Sequence, residues 1–352
     1  MNFPEIDTPS VLVDLDKTEA NIKKFQDYCD EHQLPVRPHI KTHKMPRIAK
    51  LQIAAGAIGI TCQKISEAEA MIAEGGIDDV LITYNILGDK KVKRLRALAD
   101  KVKLSVVADN IEVIEGLSKG FADAPVPLPV LIECNTGADR CGVDTPAQAA
   151  DLAVAIDAAP GLHFSGLMTY PAIGENKKVE AWLSSAISLI KERGLNVEVV
   201  SSGGSPTMWQ AHEMPLATEF RIGTYVYNDG FLVKCGVCGW DDCALTVLAT
   251  VVSVPSEKRA VIDAGSKVLT SDLLGLEGHG HILGRPDLQI DQLSEEHGRI
   301  VTNGQINLKV GDRVRIVPNH CCVVTNMLDH VVLVRANEVE GKADVVARGL
   351  VW

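Results

Sequence analysis

The stretch AIGITCQKISEAEAMIAEGGIDDVLITYNILGDKKVKRLRALADKVKLSVVA, residues 57–108, sets the reading of the fold. Three short apolar runs in it, AIGITC (57–62), DVLITY (79–84) and KLSVVA (103–108), have the length and β-branched content of buried strands. Between them, ISEAEAMIAEGG and DKKVKRLRALAD carry apolar residues at helical spacing, with Gly or Asp near their ends. The alternation extends outward in both directions. VRPHIK (36–41) precedes it, and PVLIEC (129–134), LHFSGLMTY (162–170), VEVVSS (197–202) and ATEFRI (217–222) follow it. Eight strand candidates separated by helices, over residues 36–223, predict an α/β fold of the (β/α)8 TIM-barrel type, with a doubly wound open sheet as the competing arrangement.

After residue 230 the texture changes. ALTVLATVVSVPS, KRAVIDAG, RIVTN, DRVRIVPN and DHVVLVRANEV are β-rich, and turn residues replace the helices between them. The expected organisation is a barrel over residues 17–232 and an all-β domain over 233–352. The early run PSVLVDLD (9–16) is predicted to pair with the β domain, which places residues 1–16 there.

A chain of 352 residues suits a large barrel with an added domain. The net charge of −11 and pI near 5.4 oppose a nucleic-acid partner, because phosphate binding needs clustered Lys and Arg. Aromatic residues make up only 4%, too few for a base-stacking surface. No run of about 18 apolar residues is present to span a membrane. The start, MNFPEIDTPS, lacks the features of a signal peptide. The nine cysteines are scattered and odd in number, which fits a reduced, cytoplasmic compartment. These exclusions leave a small-molecule enzyme as the expectation.

Within VRPHIKTHK (36–44), strand alternation would put His39, Lys41 and His43 on one face at the C-terminal end of the first barrel strand. That is the end where barrels place their chemistry. A desolvated lysine amine there is a usable nucleophile for a carbonyl. The plainer alternative is a solvated basic loop. Lys44 has the other parity and would only begin the next helix.

SSGGSPT (201–207) directly follows a strand, so its glycines and a short helix opened by SPT could cradle an anion. FRIGTYVYND (220–229) supplies a second glycine turn after the last strand. Barrels commonly bind phosphate with the loops after strands seven and eight. Together with Lys41, these turns point to a phosphorylated aldehyde cofactor held as a Schiff base. In PNHCCVVTN (318–326), read as strand-like, His320 and Cys322 share a face. Imidazole plus thiolate favours zinc or a similar metal, and two protein ligands leave positions open for water or substrate. CGVC (235–238) lacks the context of a redox or zinc motif and reads as structural. His279 and His281 in GHGHILG belong to a glycine-rich loop, with a ligand role as the alternative. Glu133, Asn135, Asp139 and Arg140 sit just past a barrel strand, where Arg140 could bind an anionic oxygen.

TPSVLVDLD, RPHIKTHK, the glycine pair after strand seven and the late PNHxC motif resemble the D-serine dehydratase/D-threonine aldolase family, from about residue 8 to 335. That resemblance implies an alanine-racemase-type barrel using pyridoxal 5'-phosphate and a divalent metal, zinc first and manganese or magnesium as alternatives. It implies that Lys41 carries the cofactor and that Ser202, Gly203, Gly204, Gly223 and Thr224 hold its phosphate. It places Tyr170 beside the cofactor, Arg140 near the phenolic oxygen and Arg221 toward the pyridine nitrogen. It makes His320 and Cys322 the metal pair. The implied activity is dehydration and deamination of a D-serine-type substrate (D-serine, D-threonine or 3-hydroxy-D-aspartate). Alternatives are retro-aldol cleavage to glycine and an aldehyde, an amino-acid racemase, and a pyridoxal-phosphate-binding protein without turnover. The architecture also predicts a homodimer.

Overall fold

In the computed structural model, which describes residues 3–352, all eight apolar runs of the alternating region are strands. They are β2 (Val36–Pro38), β3 (Ile60–Cys62), β4 (Asp79–Ile82), β5 (Lys103–Ala108), β6 (Leu128–Cys134), β7 (Leu162–Thr169), β8 (Val199–Ser202) and β9 (Glu219–Ile222), after an N-terminal β1 (Ser10–Asp14). Strands β2 to β9 form one sheet in the order β2-β9-β8-β7-β6-β5-β4-β3. Every pairing along it is parallel. A single parallel bridge between His39 and Thr61 links its two ends and makes it a barrel. Helices follow β2 to β7, whereas β8 runs into a 3-10 stretch, Ser205–Glu213, kinked at Thr207.

Period-two alternation explains the two cores of the barrel. Leu81, Val107, Leu131 and Met168 point inward and pack together. Their neighbours Val80, Ile82, Val106, Ala108, Val130, Ile132 and Leu167 point outward and pack under the helices. The remaining interior is polar. Arg37 on β2 bonds Glu219 through Nε at 2.8 Å and Asp79 through Nη1 at 2.5 Å. Glu219 accepts from Ser201 Oγ at 2.6 Å, and Ser201 accepts from Arg221 Nε at 2.8 Å. Arg37, Glu219, Ser201 and Arg221 are all buried. Removing one member of such a network strands its partners' charges. Arg37→Ala is therefore expected to cost about 3–5 kcal/mol of stability, read from urea unfolding.

The rest of the chain is β-rich: β10 (Leu245–Ser256), β11 (Arg259–Ile262), β12 (His281–Ile282), β13 (Gln289–Leu293), β14 (Gly298–Val301), β15 (Arg313–Val317), β16 (His330–Arg335) and β17 (Glu338–Asp344). The sheet order is β13-β14-β11-β10-β1-β16-β17, with β15 pairing β10 and β12. The N-terminal strand β1 lies in this sheet, antiparallel to β10 and parallel to β16. Of the N-terminal segment 1–16 expected here, residues 1 and 2 lie outside the described residues. Spatial clustering divides the chain into two units. One holds the chain up to Lys24, Thr42–Met45 and Thr224–Gly349; the other holds Phe25–Lys41, Pro46–Gly223 and Leu350–Trp352. The division passes between Lys41 and Thr42, and again between Gly223 and Thr224. Among the described residues, no helix is long and apolar enough to cross a membrane.

Candidate functional site

The barrel unit carries one set of candidate residues. Because β2, β9, β8, β7 and β6 are consecutive neighbours and parallel, the residues just beyond their C-terminal ends belong to one rim. These are Lys41 after β2, Gly223 after β9, Gly203 and Gly204 after β8, Tyr170 after β7 and Arg140 after β6. Gly203 has φ +137°, and a Cβ there would lie 2.2 Å from the Arg221 carbonyl oxygen, so the loop can turn here only as glycine. A Cβ on Gly204 would press to 3.1 Å from the Tyr170 ring. The guanidinium of Arg140 lies 5.1 Å from the Tyr170 ring centroid and 4.0 Å from Glu133. Burial raises the Glu133 carboxyl, against the opposing pull of Arg140.

The strand reading of VRPHIK needs correction. Strand β2 stops at Pro38, and Ile40–Thr42 is a 3-10 turn. Burial of Ile40 and Thr42, both 0% exposed, winds the chain there and ends the alternation that would have put His39, Lys41 and His43 on one face. His39 instead closes the barrel seam. Its backbone N–H donates to Ile222 O at 2.6 Å, and its ring meets Gln63 at 3.2 Å. Lys41 is half-buried, and its amine has no partner among the described residues. Lys44 is the fully enclosed lysine: its ammonium donates to Asn326 Oδ1 at 2.7 Å and Ala347 O at 3.3 Å. It does not begin the next helix, which starts at Pro46.

Arg221 is buried, donating through Nε to Ser201 and through Nη2 to Thr169 O at 2.5 Å. Burial lowers it to about 10, so it stays a cation at neutral pH. Its observed partners tie the C-terminal ends of β7, β8 and β9 together.

The β-rich unit carries the second set. The run after Pro318 is not a strand: Cys321–Met327 is an α-helix with His320 at its N-cap. Val323, Val324 and Thr325 gave it a β-like composition. The helix forms because Asp229 Oδ2 accepts the Cys321 N–H at 3.2 Å, supplying the cap that His320 does not. The same oxygen bonds His320 Nδ1 at 2.9 Å. Asp229 is wholly buried and also caps the helix Gly230–Lys234 by accepting from Leu232 N. The imidazole lies within hydrogen-bonding reach of Cys322. Burial alone would lower His320, but Cys322 and Asp229 outweigh it and lift it to about 10. Cys322 Sγ lies 3.2 Å from Thr42 Oγ1 and 3.9 Å from Thr224 Oγ1. Burial drives the adjacent Cys321 thiol far up, so it remains protonated. His281 stacks on Trp240 at 3.9 Å. Cys235 and Cys238 are free thiols.

Asp229 was not singled out from the sequence, although Asp before GFLVK is a legible N-cap signal. With Nδ1 held by this carboxylate, Nε2 of His320 is the nitrogen left for a metal. Asp229→Asn is expected to weaken zinc binding by about 10–100-fold, measured by chelator competition.

A parallel barrel joined in one chain to a β-rich unit defines the alanine-racemase type of architecture, and the alanine racemase N-terminal domain family matches residues 13–230. A putative serine dehydratase domain matches residues 244–334. The chain is 35% identical to a 3-hydroxy-D-aspartate aldolase of Paracoccus denitrificans, over 99% of this chain and 94% of that one. It is 30% identical to a D-threo-3-hydroxyaspartate dehydratase of Delftia sp., over 90% and 91%. The crystal structure of D-threonine aldolase from Filomicrobium marinum superimposes with a TM-score of 0.90 at 33% identity, covering 99% of this chain and 98% of that one. A D-threo-3-hydroxyaspartate dehydratase has also been solved as a histidine-to-alanine variant and, in a metal-free form, as a cysteine-to-alanine variant, the two positions lying two residues apart. The chain belongs to the D-serine dehydratase/D-threonine aldolase family. It is an enzyme, a lyase of this pyridoxal-phosphate-dependent group.

The residues present fit that cofactor. A loop that tolerates no Cβ at Gly203 can bring backbone close to a phosphate. Lys41, whose amine has no partner among the described residues, follows β2, two strands from β8 on the same rim, and a tyrosine ring closes on Gly204. The nitrogen and sulfur donors of His320 and Cys322 fit a borderline metal.

Proposed function

We propose that this enzyme dehydrates and deaminates a D-β-hydroxy amino acid, such as D-serine, D-threonine or 3-hydroxy-D-aspartate, to a 2-oxo acid and ammonia. The observation that carries the reading is the His320–Cys322 pair, with sulfur as the second donor and Asp229 bracing the imidazole. When bound, pyridoxal phosphate supplies an electron sink for charge at Cα, and a divalent metal, zinc first, supplies a Lewis acid toward the β-hydroxyl.

The chain's own residues do the rest. Lys41 would hold the cofactor through its Nζ. That amine is also the group placed to take the Cα proton, and its half-buried setting keeps it out of bulk water. Backbone N–H groups of Ser202–Gly204 and Gly223–Thr224 would hold the phosphate. Tyr170 would flank the cofactor and Arg140 would balance an anionic oxygen. His320 and Cys322 would hold the metal, with no role for Cys321. A D-threo-3-hydroxyaspartate dehydratase solved as a cysteine-to-alanine variant in a metal-free form, two positions from the residue changed in a histidine-to-alanine variant, supports reading His320 and Cys322 as a metal pair.

Retro-aldol cleavage is the second reading, favoured by the 35% identity to a hydroxyaspartate aldolase. It uses the same residues but removes the β-hydroxyl proton rather than the Cα proton. Incubating holoenzyme and zinc with D-serine, D-threonine and 3-hydroxy-D-aspartate separates the two. Ammonia with a 2-oxo acid is the expected result; glycine with an aldehyde would replace dehydration by aldol cleavage.

A further inference from the structure

The side chain of Thr42 is buried with 0% exposure, and a buried hydroxyl needs a hydrogen-bond partner. Its partner among the described residues is the sulfur of Cys322, 3.2 Å away and 280 residues distant in sequence. This contact is held from both sides. Lys44, two residues on, adopts φ +55°, a conformation that a non-glycine residue keeps only when its surroundings impose it. Its ammonium reaches Asn326 Oδ1 on the same helix that opens with Cys321 and Cys322, and its carbonyl accepts the Ala347 N–H at 3.3 Å. Gly349 N donates to the same Asn326 oxygen at 3.1 Å. The strained turn at Lys44 is thus fastened to the helix carrying Cys322, and Thr42 is the residue it presents to the sulfur.

We infer that Thr42 is a positioning residue for the metal centre: its hydroxyl donates a hydrogen bond to the Cys322 thiolate, fixing the sulfur's orientation and drawing charge from it. The inference rests on the assignment of His320 and Cys322 as metal ligands. The direction of the bond follows from the chemistry, because a metal-bound thiolate can only accept. A sulfur that accepts a hydrogen bond donates less charge to the metal, which leaves the metal a stronger Lewis acid toward a hydroxyl.

The test uses the full-length holoenzyme, stripped of metal and titrated with cobalt(II), with zinc affinity measured by chelator competition. Wild type is expected to show a sulfur-to-cobalt charge-transfer band that Cys322→Ala loses. Thr42→Val, nearly isosteric, should shift that band to lower energy and weaken zinc binding about tenfold. Thr42→Ser should restore both. A valine variant with wild-type band and affinity would overturn the inference. So would a serine variant as impaired as valine, since packing alone would then explain the effect. Absence of the band in wild type would instead remove Cys322 from the ligand set, and the role of Thr42 with it.

Discussion

Lys41→Ala is expected to reduce turnover by about 10⁴-fold or more and to abolish the near-visible absorbance that the bound cofactor shows in the wild type. Lys41 follows β2, whose neighbour in the barrel is β9, and β9 neighbours β8. The glycine turns proposed to hold the phosphate follow those two strands, so the amine and those turns share one rim. The rival for this role is Lys44, which the bare motif RPHIKTHK does not exclude. The structure separates the two lysines by their partners: Lys44 bridges Asn326 and Ala347, whereas the Lys41 amine has no partner among the described residues. Lys44→Met should therefore keep the absorbance that Lys41→Ala loses. A Lys41→Ala protein that retains the band would move the cofactor to another amine and overturn the assignment. Adding a small primary amine to Lys41→Ala offers a further check, since partial rescue requires that the missing group act as a base.

The barrel was legible because each strand is buried on both faces and each helix on one, which imprints two different periods on the sequence. Strand lengths were less so. VRPHIK reads as six strand residues, but burial of Ile40 and Thr42 converts its second half into a 3-10 turn, and no local pattern signals that. The segment after His320 went the other way. Its valines and threonine prefer strands, yet the chain is helical because Asp229, some 90 residues earlier, caps it. Residues proposed to act through chemistry of their own type, such as Lys41, His320 and Cys322, stood out as candidates by identity and motif. Those that act by holding others, namely Asp229, Thr42 and Lys44, did not, because their partners lie far away in sequence.

Removal of the metal by thorough chelation, or Cys322→Ala, is expected to lower turnover by about 10²–10³-fold while leaving the cofactor absorbance intact. That corresponds to the several kcal/mol a Lewis acid contributes at a leaving oxygen, at 1.36 kcal/mol per tenfold. The two effects are expected to separate because the proposed cofactor residues belong mainly to the barrel unit and the proposed metal pair to the β-rich unit. The chemistry of the sulfur sharpens the prediction. Cys322→Asp exchanges a soft donor for a hard one at the same position, next to a histidine whose Nδ1 remains braced by Asp229. That variant should lose its preference for zinc and recover activity with manganese. If the reaction is dehydration assisted at the β-hydroxyl, the manganese-loaded variant should still release ammonia, because Lys41 still takes the Cα proton. A switch of product to glycine and aldehyde would mean that the metal's own ligands choose between the two outcomes. Full activity of Cys322→Ala after chelation would overturn the assignment of His320 and Cys322 as metal ligands.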